Sequence, residues 1–479
     1  MYEEQSLYDD AIAALKKGLK DLARQRFEDV VSLNPKHALA YANLGQLHCD
    51  EGRHHDAVVN YEKSIYCNPH PQYYNNIGTS LIERNRWEDA EAGYREAIRL
   101  DPKLAIAHNN LGRLLLVRGR PQEAKIELRK AIELSPDYPE PHIALGFAHL
   151  ELGEFEQGWA EYEWRRKQIP QNRPMPPDFT GQELSHDDAV VIIGEQGLGD
   201  SLQFCRYAPL VKQKYGCRVY VEVKPALTRL MNTLQGIDGV IAYGDDFPPD
   251  AKYSIWMVSC PMLFGHYNEK DFPRYKSYLS ATKQRVEFFS QFVNYFPPGP
   301  RVGICWAGGG DIPGVDKRRS THLDMWKPLG AIEGITWVNL QKGGASDQIR
   351  TARTGMTMLN LIEKECNDMA DTAALVIHCD LVITVDTAIA HLAAALGKPT
   401  WVLSRRDACW RWLLDRRDNP WYPSVRHYRQ KTFNDWPGLM NEVAVDLKKW
   451  VEQRKADNNV VKFAPSNWPV HQQQLKEAA

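Results

Sequence analysis

Excess charge of either sign is missing from this chain of 479 residues: 59 Lys and Arg stand against 61 Asp and Glu, for a net charge of −2. No bulk electrostatic pull toward nucleic acid or an acidic membrane is therefore expected. No run of 18 apolar residues occurs, so no transmembrane segment is expected. The first residues, Met-Tyr-Glu-Glu-Gln, lack the basic and apolar regions of a signal peptide. The nine cysteines are scattered and none falls in a Cys-x-x-Cys pair, which argues against a zinc site or a disulfide framework. A reducing, cytoplasmic location is the expectation. Neither Gly-x-Gly-x-x-Gly nor a Gly-Lys-Ser/Thr loop occurs, so NAD and ATP chemistry have little support, and no cofactor or metal site is expected. Glycine and proline, 32 and 29 residues, are too few for long disorder.

What is present first is a repeat. Pro35, Pro69, Pro102 and Pro136 are separated by 34, 33 and 34 residues, and Gly45, Gly78, Gly112 and Gly146 keep the same beat. Ala57, Ala90, Ala124 and Gly158 follow in phase, then Tyr61, Tyr94, Leu128 and Tyr162. Small residues let two antiparallel helices approach, an aromatic fills the gap to the next repeat, and proline ends the second helix. This period is the tetratricopeptide signature. It predicts an α-solenoid over residues 1–168 with four repeats and a partial fifth, ending in the aromatic helix around Trp159 and Trp164 that caps the stack. Such stacks form grooves for a protein or peptide. Asn43, Asn75, Asn76, Asn109 and Asn110 lie on first helices, either to bind a peptide backbone or as ordinary polar groove residues.

Residues 169–188 hold four prolines and read as a linker. From 189 the texture becomes α/β. Apolar strands at Val190–Ile193, Arg218–Val223, Gly239–Tyr243 and Tyr253–Ser259 alternate with helices, which implies parallel βαβ units. Pro297, Pro298 and Pro300 divide a first half, 189–298, from a second, 299–455, with strands at Arg301–Ala307, Thr336–Gln341, Leu381–Val385 and Pro399–Leu403. Residues 456–479 read as a polar tail. Two Rossmann-like halves with a cleft between them point to a nucleotide-sugar enzyme of the GT-B type.

Three constellations carry chemistry. The loop Gly194-Glu195-Gln196-Gly197-Leu198-Gly199-Asp200 puts a carboxylate at a helix start, where Asp200 (or Ser201) is a cap or Asp200 is a base for an attacking hydroxyl. Asp386, Thr387, Ala388 and His391 follow a strand directly. They form either a diphosphate site at a helix N-terminus or a cap with a packed histidine. Lys317, Arg318 and Arg319 are either a solvated face or a clamp for phosphate, and Gln341 and Lys342 end another strand beside the same cleft. The Trp410-Arg411-Trp412 and Trp421-Tyr422 runs can stack on a base or sugar, or pack a long loop.

GEQGLGDSLQFCRY, VGICWAG, KRRS, LQKG, DTAALV, DLVITVDTAIAHLAAALGKP and WRWLLDRRDNPWYP lie in order over about residues 189–430. On these pieces the chain resembles bacterial tetratricopeptide glycosyltransferases whose C-terminal part is similar to glycosyltransferase family 9, the ADP-heptose lipopolysaccharide heptosyltransferases. The resemblance implies inverting, metal-independent transfer from a nucleoside diphosphate sugar to a protein or glycan. It implies Asp200 as general base, with Gln196, Gly197 and Gly199 in the acceptor-side loop. Asp386, Thr387, Ala388 and His391 would bind the donor, and Arg319 or Lys317 would stabilise the leaving phosphate. The competing expectation is an inactive transferase fold serving as a scaffold that binds partners through its repeats.

Overall fold

The structure is a computed structural model that describes residues 2–170, 173–309, 318–407 and 409–457. The chain divides into two compact units: residues 1–149 with 160–169, and residues 150–159 with 170–479.

The first unit is built from helix pairs: α1 (Tyr2–Lys16) with α2 (Lys20–Leu33), α3 (Ala38–Asp50) with α4 (His54–Cys67), α5 (Pro71–Glu83) with α6 (Trp87–Leu100), and α7 (Ala105–Val117) with α8 (Pro121–Leu134). Helix α9 (Pro139–Glu151) and the shorter α10 (Phe155–Tyr162) complete the repeat pattern. The second helices end one or two residues before Pro35, Pro69, Pro102 and Pro136. Gly45, Gly78 and Gly112 each lie under a large side chain of their own repeat. A Cβ on Gly45 would stand 2.9 Å from the Tyr61 ring, and one on Gly78 2.7 Å from the Tyr94 ring. The aromatic thus closes its own helix pair. Asn75 and Asn109 are buried, and Asn110 donates to Asn75 at 3.0 Å, so part of the asparagine row is bonded from repeat to repeat.

The second unit holds two parallel sheets. The first has β1 (Ala189–Ile193), β2 (Arg218–Val223), β3 (Gly239–Ala242) and β4 (Ala251–Trp256) in the order β3-β2-β1-β4. The second has β5 (Arg301–Cys305), β6 (Thr336–Asn339), β7 (Met358–Leu359), β8 (Leu381–Val385), β9 (Thr400–Ser404) and β10 (Val425–Arg429) in the order β10-β9-β8-β5-β6-β7. Strands β1, β8 and β9 are buried along their whole length, as helices on both faces of a parallel sheet require. The charged run Val425–Arg429 was not expected to be a strand. At the sheet edge it buries Val425, His427 and Tyr428 and keeps Arg426 and Arg429 toward the rim.

The expected linker is partly built into this unit. Phe179 donates its amide to Ser254 at 2.8 Å, and Ser254 donates back to Pro177, so the segment pairs along the outer edge of β4. An edge covered this way is closed to another chain. Residues 150–159 also belong here by contact, although the repeat phase assigns them to the solenoid. Trp159 packs against Phe204, Trp410 and Trp421, and Glu151 lies 3.7 Å from Arg429.

The two sheets are tied at α13 and α15, after α11 (Leu198–Phe204), α12 (Ala208–Tyr215), α13 (Pro225–Met231), α14 (Lys283–Val293) and α15 (Met369–Ile377) are laid down. Arg229 on α13 and Arg285 on α14 reach Asp371 on α15 at 3.3 and 2.8 Å. Burial pushes the Asp371 carboxyl up, but the Asn367 amide and the two guanidinium groups outweigh it and hold the group below its usual range. A depressed carboxyl contributes stability above the unfolded value and loses it as pH falls through the folded one. Asp371→Asn is expected to cost about 1–3 kcal/mol at neutral pH. Urea melts should show the gap between variant and wild type closing below about pH 4.

Candidate functional site

Strand order reverses between β1 and β4 in one sheet and between β5 and β8 in the other. Ligands in open α/β sheets bind beyond the carboxyl ends of strands at such points. The loops that leave β1 and β8 there are the two that the sequence singled out.

After β1, Gly194 donates to the Glu222 carbonyl at 2.8 Å, and a Cβ on Gly194 would collide with that oxygen. Gln196 adopts a left-handed φ of 62°, which a non-glycine residue holds only at a cost. The cap of α11 is Gly197, not Asp200 or Ser201. Because the helix starts at Leu198, Asp200 is its third residue, where a carboxylate reaches back to the cap amide; Oδ2 accepts from Gly197 at 2.9 Å. Its other oxygen, Oδ1, accepts from Arg411 of the second half.

After β8, Asp386 is half-buried and Thr387 is the cap of α16 (Ala388–Ala395). The helix therefore opens at Ala388, one residue later than expected. The Thr387 hydroxyl meets that of Thr384 at 3.1 Å and the Cys305 thiol at 3.8 Å. His391, in the second turn, is 4% exposed. Its Nδ1 faces the Tyr422 hydroxyl at 2.9 Å and its ring stacks on Trp412 with centroids 5.4 Å apart. Burial, and then the nearby charges of Arg411, Arg206 and Arg319, drive the imidazole well below its usual range, so it is neutral. A Cβ on Gly199 would sit 2.8 Å from His391 Cδ2. Only a glycine lets α11 come this close to α16.

The basic loop is reached in part. Lys317 lies outside the described residues. Arg318 stands 3.9 Å from Asp407, and the Arg319 charge acts on both His391 and Cys305. Gln341 is placed differently from the expectation that it lines the donor site. Gln341 is 2% exposed, and its Oε1 accepts from the amides of Trp306 and Ala307 at 3.1 and 2.8 Å. Those buried amides need an acceptor, and the neighbouring strand supplies it. Lys342 donates to the Cys366 carbonyl at 2.5 Å. The buried Gln341 side chain braces its loop, whereas Lys342 remains exposed.

The sequence reading missed Arg206. It is fully buried and donates to the Gln203 and Pro273 carbonyls at 2.7 and 3.2 Å and to the Tyr278 hydroxyl at 2.8 Å. A lone arginine in the otherwise apolar run LQFCRYAPLV was its only signal. Arg411 and Trp412 had been seen only as stacking or packing residues. The loop that carries them is tightly held: Leu413 has φ 53° and ψ 177°, and Asn419 donates to the Arg411 carbonyl at 2.9 Å.

These features define a helical-repeat protein joined to two Rossmann-like domains whose switch-point loops meet. Comparison with known proteins agrees with that class. The tetratricopeptide repeat family matches residues 8–70 and 75–139, and glycosyltransferase family 9 (heptosyltransferase) matches residues 352–406, the segment that contains α15, β8 and α16. Protein FlbA of Caulobacter vibrioides is 27% identical over 327 residues, 62% of this chain. The match spans 53% of FlbA, about half of its length. Among solved structures, pilF of Pseudomonas aeruginosa is 22% identical over 35% of this chain and 78% of its own, with a TM-score of 0.33. MamA of Desulfovibrio magneticus is 17% identical over 35% of this chain and 97% of its own, with a TM-score of 0.32. No described helix is long and apolar enough to cross a membrane.

Proposed function

We propose that this chain is a cytoplasmic glycosyltransferase. It moves a sugar from a nucleoside diphosphate sugar to a protein or glycan acceptor, with inversion and without a metal, and its repeats recruit the acceptor or a partner. The observation that carries the reading is the meeting of the two switch-point loops, with Gly199 against His391 and Asp200 paired to Arg411.

In this reading the donor diphosphate lies over the N-terminus of α16, where free amides and the helix dipole favour negative charge. Asp386, Thr387, Ala388 and His391 surround it, and Arg319, with Lys317, offsets charge on the leaving group. The acceptor hydroxyl enters from the Gln196–Gly199 loop. Asp200 takes its proton as the oxygen bonds to the anomeric carbon. The bond from that carbon to the diphosphate breaks, and the electron pair leaves with the nucleoside diphosphate. A single displacement from the opposite face inverts the centre.

The test is thermal stabilisation and sugar release across ADP, UDP and GDP sugars. A ligand at one hundred times its Kd should add about 2.7 kcal/mol. No stabilisation by any nucleotide or nucleotide sugar would overturn the reading and leave the chain a scaffold.

A further inference from the structure

The polar chain behind His391 is longer than the donor site needs. The Arg206 guanidinium sits between two phenol rings, 4.5 Å from the Tyr278 centroid and 4.4 Å from that of Tyr422. The Tyr278 hydroxyl accepts from Arg206 and gives its own proton to the Leu202 carbonyl at 2.7 Å. A guanidinium has only donors, so the Tyr278 oxygen it touches accepts. The Tyr422 hydroxyl lies 2.9 Å from His391 Nδ1, and a phenol is the stronger donor and a neutral imidazole nitrogen the stronger acceptor of such a pair, so the phenol proton goes to Nδ1. The other nitrogen, Nε2, lies on the side of the ring that faces Gly199.

We propose that Tyr422 is a positioning residue for His391. Its hydroxyl donates to Nδ1, holds the imidazole as the Nε2–H tautomer, and turns that N–H into the cleft as a fixed hydrogen-bond donor to an oxygen of the donor diphosphate. The use of that N–H rests on the glycosyltransferase reading; the tautomer itself does not. Arg206 lies over the Tyr422 ring, so its charge also favours a neutral imidazole beside it. Burial beside three guanidinium groups keeps the ring from becoming a cation, so tautomer choice is the only proton question at this position.

The experiment uses the full chain with ring-15N histidine. The His391 signals are assigned by their loss in His391→Gln. In the wild type, without any substrate, they should show a protonated Nε2 and an acceptor Nδ1, unchanged between about pH 5.5 and 8. Tyr422→Phe removes one oxygen and keeps the ring. It should give both tautomers and lower kcat/KM for the nucleotide sugar about tenfold. A wild-type His391 protonated on Nδ1 overturns the proposal, and so does an unaltered tautomer in folded Tyr422→Phe. If Tyr422→Phe does not fold, the wild-type spectrum alone decides. Failure of the glycosyltransferase reading would show separately, as an absence of turnover by the wild type.

Discussion

Asp200→Asn is expected to lower the turnover of sugar transfer by about 10³-fold, the scale of a lost general base. The amide matches the carboxylate in shape, and its oxygen can still accept the Gly197 amide that Asp200 Oδ2 now takes at 2.9 Å. The start of α11 should therefore survive. What is lost is the ability to hold a proton, together with the charge that faces Arg411. In the proposed reading the donor is held by α16 and its surroundings, so the thermal shift with nucleotide should stay close to the wild-type value. The measurement is steady-state release of nucleoside diphosphate alongside ligand-induced stabilisation. Wild-type turnover in the variant would remove Asp200 from the mechanism. Loss of both turnover and nucleotide binding would make it a residue of the donor site instead.

Trp159→Ala should destabilise the α/β unit by about 3–5 kcal/mol. The indole is 1% exposed and packs edge-on to Trp410, Phe204 and Trp421, with centroids 5.4, 6.2 and 6.1 Å away. Its Nε1 donates to the His266 carbonyl at 3.3 Å. Truncation leaves a cavity that these rings cannot refill without shifting Trp410, the neighbour of Arg411. Denaturant melts followed by tryptophan fluorescence should show the loss. A change below about 1 kcal/mol would mean that the cluster closes over the gap.

The local chemistry of the site was largely legible. A β-branched run before glycines and an aspartate predicts a strand, a tight loop and a helix start, and β1 with α11 has that pattern. The same holds for β8, Asp386 and α16. The error at Asp200 was one of position. The helix starts three residues earlier than expected, and that difference changes the aspartate from cap to third residue. Gln341 was misread for another reason. A residue at a strand end can point to the cleft or to a neighbouring strand, and only the β5–β6 pairing puts the Trp306 and Ala307 amides in its reach. Arg206 gave almost no signal, because a buried arginine without a carboxylate looks in sequence like any surface arginine.

The amino-acid sequence by itself determined the 34-residue beat of the repeats, the parallel α/β class of the chain beyond residue 188, and the two glycine- and aspartate-bearing loops that leave β1 and β8. Each of these rests on spacing along the chain, and spacing is what a linear string records. The tertiary structure alone decided that Gly199 abuts His391, that Asp200 pairs with Arg411 more than 200 residues away, and that Trp159 leaves the repeat register to pack among the rings of the α/β unit. Those contacts join residues far apart in sequence. They exist because close packing, and the need to pair every buried charge and amide, act on distances in space.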